Sequence, residues 1–195
     1  MKAVCIGDSL THGYGVPASC CWVNLLQENS QLKIVNKGLN GDYTASLLCR
    51  SYRDVISLHP NYTVIMAGTN DFLMGSSVYN VFDNLSLLCK DVIENSIVPI
   101  IMNPPYIDED MAKERWADEI DYVEVNRKTE LLGQRLKEFS YEKSISFIDL
   151  YKIFKNISTE ARDYYIDGIH LNKRGHLIIY NELMKQKVFE ENKKK

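Results

Sequence analysis

The chain has 195 residues, of which 45% are hydrophobic and 25% charged, and its formal net charge is −3. This length fits one domain with a substantial core, and the composition is that of a globular protein rather than a disordered one. The small net charge gives no reason to expect a nucleic-acid partner. No apolar run approaches the roughly 20 residues that span a bilayer, so we expect no stable membrane insertion.

The amino terminus and the cysteines predict a cytoplasmic protein. Met1 is not followed by the long apolar stretch and small-residue cleavage site of a signal peptide. The cysteines are odd in number, contain no Cys-x-x-Cys pair and are not spaced as a disulfide framework. We therefore expect five packing thiols and no metal site. They are Cys5, Cys20, Cys21, Cys49 and Cys89.

Short apolar segments alternate with amphipathic stretches along the chain. The predicted strands are residues 2–6, 32–36, 62–67, 98–102 and 145–148. The predicted helices are residues 20–29, 44–58, 77–95, 119–143 and 173–190. This alternation predicts an α/β fold in three layers, with a five-stranded parallel sheet and helices on both faces. We expect a single domain over residues 1–190, followed by a polar tail over residues 191–195.

The longest predicted connection runs over residues 104–118. It begins with Pro104-Pro105 and continues with residues of mixed charge. Connections of this length are uncommon and often form lids over functional sites. A solvated surface loop with a helical turn explains the same composition equally well, so both interpretations stay open.

A serine follows the first predicted strand directly, in the run Gly7-Asp8-Ser9-Leu10. A sharp turn from this strand into a helix would present the hydroxyl of Ser9 at the carboxyl edge of the sheet, where open α/β sheets bind their ligands. Asp-Ser is also common helix-capping material, so the run alone does not define a site.

A serine hydroxyl is a poor nucleophile until a base accepts its proton. His170 is a candidate base, because Asp167 lies three residues before it and can hold one imidazole nitrogen. The alternative is that Asp167-Gly168 forms an ordinary turn and that His170 only packs or caps.

Ester hydrolysis also requires hydrogen-bond donors to the developing oxyanion. Gly41 follows the second predicted strand and lacks a Cβ, so its backbone N–H can approach a substrate. Asn70 follows the third strand and offers a side-chain amide, and the backbone N–H of Ser9 at a helix start is a third donor. Each of the three also has a structural interpretation as a turn residue.

Several other residues resemble functional features but fit them poorly. The run Gly13-Tyr14-Gly15-Val16-Pro17-Ala18 matches a dinucleotide-binding pattern, yet it does not directly follow a strand and it contains a proline. We expect His12 to be an exposed turn residue, although its position near Ser9 also allows it to line a pocket. His59 and His176 are expected at the surface.

Three further residues lie near the candidate site in the sequence. Tyr164 and Tyr165 precede Asp167 and are expected to pack rather than to flank a site. Asp149 follows the fifth predicted strand, but it is distant along the chain from His170. Asp167 is therefore the first choice for the orienting acid.

Taken together, the ordered motifs resemble those of the SGNH, or GDSL-type, esterase and lipase family of serine hydrolases. The resemblance covers nearly the whole chain from Gly7 onward and includes all four family blocks. The blocks are Gly7-Asp8-Ser9-Leu10, Gly38-Leu39-Asn40-Gly41-Asp42, Gly68-Thr69-Asn70-Asp71 and Asp167-Gly168-Ile169-His170.

The resemblance implies a flavodoxin-like three-layer fold, with Ser9 as nucleophile, His170 as general base and Asp167 as the acid that orients it. It also implies an oxyanion hole formed by Ser9, Gly41 and Asn70. The expected activity is hydrolysis of a carboxylester, thioester or lysophospholipid-type ester through an acyl-enzyme, without a metal or organic cofactor. The alternatives are a carbohydrate O-acetylesterase and, with less support, a retired hydrolase that only binds ligands. The expected partner is a small-molecule acyl ester or acetylated sugar, and the sequence does not predict an oligomeric state.

Overall fold

The computed structural model describes residues 1–157 and 162–189. Within these ranges the strands are β1 Lys2–Gly7, β2 Lys33–Gly38, β3 Tyr62–Met66, β4 Val98–Asn103 and β5 Ser146–Asp149. The helices are α1 Ser9–His12, α2 Trp22–Asn29, α3 Thr44–Asp54, α4 Thr69–Leu73, α5 Val78–Glu94, α6 Glu109–Arg115, α7 Tyr122–Lys143, α8 Leu150–Asn156 and α9 Lys173–Lys185. Ala18–Cys20 and Ile56–Leu58 are short 3₁₀ helices.

The five strands form one parallel sheet in the order β2-β1-β3-β4-β5. This arrangement confirms the predicted flavodoxin-like fold. The chain passes from β1 to β2 on one side and then returns to add β3 on the other. The strand order therefore reverses beside the carboxyl end of β1, which is where ligands bind in open α/β sheets.

Helices cover both faces of the sheet, because successive side chains of each strand point to opposite sides. Val4 and Ile6 of β1 belong to a core that includes apolar side chains of α3, α5 and α7. Ala3 and Cys5 of the same strand belong to a second core, with side chains of α2, α8 and α9. The sheet is therefore buried on both faces, as its β-branched strands predict.

The helix boundaries differ from the sequence predictions in three main ways. The predicted helix 173–190 is shorter at its carboxyl end, since α9 ends at Lys185. The predicted helix 44–58 is divided, since α3 ends at Asp54 and a 3₁₀ helix follows. In addition, α4 and α8, of five and seven residues, were not predicted, whereas a helix start at Ser9 and, as one alternative, a helical turn within residues 104–118 were. Such short helices do not contain enough turns to show a helical periodicity. Residue 190 and the predicted tail 191–195 lie outside the described residues.

The cysteines are free thiols in the described structure, and most of them pack as predicted. Cys5, Cys21 and Cys89 are buried and Cys20 is partly buried. The expectation is wrong for Cys49, which is exposed on α3. Its neighbour Leu47 occupies the buried side of the same helix, so Cys49 faces away from the core.

No helix within residues 1–157 and 162–189 is both long enough and apolar enough to cross a membrane.

Candidate active site

Ser9 lies at the carboxyl edge of the sheet, two residues beyond the end of β1. The side chain of Asp8 caps α1 by accepting the backbone N–H of Leu10 at 2.9 Å. This cap makes Ser9 the first residue of α1. The backbone N–H of Ser9 consequently has no acceptor within the helix and can serve a ligand.

Asp167 and His170 are brought together by a tight turn. The ends of this turn are joined by the hydrogen bond from Ile166 N–H to His170 O, at 2.8 Å. Asp167 Oδ1 accepts the backbone N–H groups of Ile169 at 3.0 Å and His170 at 2.7 Å. Gly168 has φ +91°, and a Cβ at this position would lie 2.4 Å from the backbone nitrogen of Ala112 in α6. Glycine is thus required both by the backbone conformation and by the close packing of α6.

The three polar side chains form a continuous hydrogen-bonded chain. His170 Nδ1 lies 2.7 Å from Asp167 Oδ2, and His170 Nε2 lies 3.1 Å from Ser9 Oγ. An ionised carboxylate only accepts hydrogen bonds, so the imidazole proton resides on Nδ1. Nε2 is then left with a lone pair that accepts the hydroxyl proton of Ser9.

The Asp167 carboxylate is stabilised in its charged form. Burial would by itself raise the pKa of Asp167, but the hydrogen bonds from the ring and backbone of His170 and from the Ile169 N–H outweigh it and lower the pKa. Asp167 therefore remains an anion beside His170 and stabilises positive charge on the imidazole when it accepts a proton.

Gly41 and Asn70 lie at the same opening as Ser9 and His170. Gly41 belongs to a turn that is closed by the Asp42 N–H to Leu39 O hydrogen bond, at 3.2 Å. Its φ of +74° favours glycine, and no atom of residues 1–157 or 162–189 approaches within 4 Å of the position a Cβ would take. Asn70 Nδ2 donates to Asp42 O at 3.0 Å, and the second N–H of the amide remains for a ligand.

These residues line a cavity of about 130 Å³. Its remaining wall consists of Asn40 and four apolar or aromatic side chains, which are Tyr14, Leu73, Trp116 and Ile169.

Two aromatic rings lie against the imidazole of His170. The Tyr14 ring centre is 4.5 Å from that of His170, and the Trp116 ring centre is 5.1 Å away. Tyr14 and Trp116 are 44% and 49% exposed, so their free faces form the mouth of the cavity. Sequence reasoning did not assign either ring to the site, since neither belongs to one of the four motifs.

Trp116 comes from the long connection over residues 104–118, which lies against the turn containing Asp167. Asp108 N–H donates to Gly168 O at 2.9 Å, and Arg115 Nη1 donates to Ile166 O at 3.2 Å. Helix α6 buries Met111 and Ala112 within this connection. The segment is therefore packed onto the site rather than being a purely solvated loop, and its movement as a lid stays a prediction.

A buried carboxyl group adjoins the candidate nucleophile. Asp8 is almost fully buried, and its Oδ2 has no hydrogen-bond partner among the described residues. Burial raises the pKa of Asp8 to about 7, against the effect of the Leu10 N–H bond. The charges of Asp71 and Asp42 raise this pKa further, while His170 lowers it.

The other histidines lie apart from this cavity. His12 is exposed, with Nδ1 3.2 Å from Gly38 O, and His59 is exposed as predicted. The expectation for His176 is wrong, because this residue is 1% exposed. Its Nδ1 accepts the backbone N–H of Trp22, at 3.4 Å. Trp22 begins α2, whose N-cap Cys21 provides no side-chain cap, so His176 supplies the missing acceptor.

The remaining candidates have structural roles. Gly13 ends α1 with φ +91°. Tyr165 is buried and its hydroxyl donates to Tyr106 O. Asp149 caps α8 and pairs with Lys152 at 3.1 Å. Residues 1–157 and 162–189 contain no cluster of three or more histidine, cysteine or acidic side chains placed to hold a metal ion.

Fold and site together define a flavodoxin-like α/β protein with a hydrogen-bonded serine, histidine and aspartate at the carboxyl edge of its sheet. Residues 5–178 match the model of the GDSL-like Lipase/Acylhydrolase family. Since this match covers most of the sequence, the chain belongs to that family.

Two curated proteins and one solved structure illustrate the relationship. Thioesterase 1/protease 1/lysophospholipase L1 of Escherichia coli (strain K12) is 30% identical over 99 residues, which cover 50% of this chain and 48% of that protein. The chain thus spans about half the length of this relative. An acetylxylan esterase of Geobacillus stearothermophilus is 25% identical over 174 residues, covering 82% of this chain and 74% of that protein. The crystal structure of a lipolytic G-D-S-L family member from Veillonella parvula superposes with a TM-score of 0.80 at 21% identity, covering 95% of this chain and 97% of that one.

Proposed function

We propose that this protein is a serine hydrolase that cleaves a small-molecule ester through an acyl-enzyme on Ser9. The observation that carries the proposal is the unbroken chain from Ser9 Oγ to His170 Nε2 and from His170 Nδ1 to Asp167, with distances of 3.1 and 2.7 Å. Nucleophile, base and orienting acid are recognised by this geometry rather than by their positions in the sequence.

In the acylation step, Ser9 Oγ attacks the ester carbonyl carbon while His170 Nε2 accepts the hydroxyl proton. The tetrahedral intermediate collapses by breaking the bond to the leaving oxygen or sulfur, which takes that proton from His170. Water then attacks the acyl-enzyme with His170 again as base, and the Ser9 hydroxyl is regenerated as the acid product leaves. Asp167 holds the imidazole in the required tautomer in both halves of the reaction.

The oxyanion of each intermediate would be bound by three donors: the backbone N–H of Ser9, the backbone N–H of Gly41 and the side-chain amide of Asn70. Support for this assignment comes from the cavity, which all three residues line. The hydrogen bond from Asn70 to Asp42 O fixes the orientation of the amide before substrate binds, and such preorganised donors stabilise developing charge most effectively.

The size of the cavity favours a short acyl group. Its volume of about 130 Å³ is below the roughly 300–1,000 Å³ of pockets that enclose drug-sized ligands. It is close to the roughly 150 Å³ of an apolar cavity that accepts benzene. We therefore propose that acyl groups of a few carbons are preferred over long fatty chains, which would extend past the rim.

A carbohydrate O-acetylesterase is the second candidate, and two observations favour it. An acetyl group fits the small cavity, while the exposed rings of Tyr14 and Trp116 offer flat apolar surfaces to the alcohol part of the substrate. The similarity to an acetylxylan esterase extends over more of this chain than the similarity to the thioesterase. Alkyl esters and acetylated sugars therefore need to be compared directly.

The test is a panel of p-nitrophenyl esters with acyl chains of two to about sixteen carbons, run beside acetylated xylooligosaccharides and ethyl acetate. We expect kcat/KM to be highest at two to four carbons and at least about tenfold lower at eight. A kcat/KM for the acetylated sugar at least about tenfold above that for ethyl acetate would select the O-acetylesterase.

The matched control is Ser9→Ala, which removes the hydroxyl while the backbone N–H remains. Faster turnover of long acyl chains than of acetyl would contradict the short-acyl assignment. Equal turnover by wild type and Ser9→Ala, or no turnover of any ester by the folded wild type, would contradict the hydrolase itself.

A further inference from the structure

One buried arginine contacts the chain on both sides of the candidate site. Arg50 lies on α3 and is only 7% exposed. Its Nη2 donates to Gly7 O at 3.1 Å, immediately before the Asp8-Ser9 turn. Its Nε lies 2.8 Å from Asp42 Oδ2, and Nη2 makes a second contact of 2.8 Å to the same oxygen. Its Nη1 donates to Asp54 Oδ2 at 3.0 Å.

These contacts connect Arg50 to each of the three expected oxyanion donors. Gly7 is two residues before Ser9, and Asp42 directly follows Gly41. The carbonyl of Asp42 accepts the hydrogen bond that orients Asn70. One planar guanidinium thus links the turn that carries Ser9 to the turn that carries Gly41. It adds to the direct backbone hydrogen bond from Leu39 N–H to Gly7 O, at 3.0 Å. A lysine ammonium has no planar fork with which to reproduce these contacts.

A second set of hydrogen bonds holds the carboxyl end of the loop over residues 41–44. Asp71 accepts the backbone N–H of Thr44 at 3.0 Å and its hydroxyl at 2.7 Å. The loop from Gly41 to Thr44 is therefore anchored at Thr44 without Arg50. Loss of Arg50 would release the Asp42 side chain next to Gly41, where the bonds from Asp42 N–H to Leu39 O and from Asn70 to Asp42 O remain, and would leave the start of α3 in place.

We propose that Arg50 is a positioning residue that keeps the three oxyanion donors at the spacing of the transition state, a role that rests on the hydrolase activity proposed above. Arg50 touches neither the substrate cavity nor the reacting atoms, so it acts through Asp42 and Gly7. Donors that are displaced by a fraction of an ångström still bind substrate but stabilise the oxyanion less. The expected signature is a loss in kcat without a matching change in KM.

The experiment compares Arg50→Lys and Arg50→Met with the control Arg53→Met. Arg53 lies on the same helix and pairs with the same Asp54 at 2.8 Å, but its side chain is 72% exposed and does not reach Asp42 or Gly7. With p-nitrophenyl acetate, we expect Arg50→Lys to lower kcat by about 10- to 100-fold while KM changes by less than about threefold. Arg53→Met should retain kcat within about twofold.

A double-mutant cycle with Asn70→Ala separates positioning from a general structural role. If Arg50 acts through the orientation of Asn70, Arg50→Lys should lower kcat at least about fivefold less in the Asn70→Ala background than in wild type. The proposal would be overturned if the kcat loss of the double variant equalled the product of the two single losses. It would also be overturned if Arg50→Lys had a kcat within about twofold of wild type.

Removal of a buried charge can prevent folding, because it leaves the buried Asp42 carboxylate without its cationic partner, while Asp54 keeps Arg53 and Lys37. Asp42→Asn tests the same link if the Arg50 variants do not fold, since it weakens the ion pair and keeps the carbonyl that Asn70 contacts. It should also lower kcat with KM nearly unchanged, and an unchanged kcat would overturn the proposal. Wild-type protein that is folded but inactive on all esters would instead contradict the proposed hydrolase function.

Discussion

The buried histidine on α9 makes the stability of this fold sensitive to acid. Burial lowers the pKa of His176 from 6.5 to about 4, because the charged imidazolium is poorly solvated between α9 and α2. In the unfolded chain the same group titrates near 6.5. The unfolded state therefore binds the proton more readily, and His176 destabilises the fold as the pH falls from about 6.5 to about 4.

The size of this effect follows from the two pKa values. A difference between 6.5 and about 4 corresponds to about 3 kcal/mol of unfolding free energy, at about 1.4 kcal/mol per pKa unit. Above pH 7 the contribution is absent, since His176 is neutral in both states. The variant His176→Gln removes the titration and keeps an oxygen that can accept the Trp22 N–H.

The assay is urea unfolding of wild type and His176→Gln at intervals from pH 4 to 7.5. The unfolding free energy of wild type should fall by about 3 kcal/mol more than that of the variant over this range. Other titrating groups contribute to both proteins and cancel in the comparison. The control is His59→Asn, which removes an exposed histidine and leaves the pH dependence of wild type. Parallel curves for wild type and His176→Gln would refute the reasoning.

Further predictions concern the candidate site. Asn70→Ala removes one oxyanion donor and should lower kcat by about 10²–10³-fold in steady-state assays; a change of only a few fold would contradict its role. Asp167→Asn should lower kcat by about 10⁴-fold because it favours the wrong tautomer of His170, and wild-type activity in this variant would assign the orienting acid elsewhere. Burial raises the pKa of Asp8 in the folded state from 3.8 to about 7, so this carboxyl ionises less readily in the folded than in the unfolded chain. Asp8 therefore lowers the free energy of unfolding as the pH rises from about 4 to about 7. Asp8→Asn should therefore unfold at a higher denaturant concentration than wild type at pH 8, and this advantage should disappear near pH 4; equal midpoints at pH 8 would contradict it.

The sheet could be predicted from the sequence because its strands are short apolar segments with turn residues at their ends. The parallel order brings those ends to one edge, which is why Ser9, Gly41 and Asn70 could be grouped before their positions were known. The pair Asp167 and His170 was predictable for a different reason, since three residues of separation suffice for a direct contact.

Contacts between distant segments could not be read in the same way. Trp116 follows α6 in an irregular connection, and only the packing of that connection on the turn at Gly168 brings its ring to His170. From the sequence alone, Arg50 would be predicted to be an exposed charged residue on the polar face of an amphipathic helix. Its burial depends on Asp42 and Asp54 being folded around it.

The error at His176 has a specific cause. In the sequence of the last helix, Leu177, Ile178, Tyr180, Leu183 and Met184 have the spacing of one apolar face, which excludes His176, yet Leu177 is 46% exposed. The buried face instead contains His176, Ile179 and Leu183. A helix N-terminus without a side-chain cap needs an acceptor from elsewhere, and that requirement is invisible in the sequence of α9 alone.

The central claim is that His170 and Asp167 activate Ser9 as a nucleophile. Its most direct test is incubation of the folded wild type, Ser9→Ala and His170→Ala with a fluorophosphonate, followed by mass spectrometry of the intact proteins and their peptides. We predict one stoichiometric adduct on wild type, located on Ser9, with no adduct on Ser9→Ala and strongly slowed labelling of His170→Ala. A folded wild type that stays unlabelled, or an adduct located on any residue other than Ser9, would contradict the account.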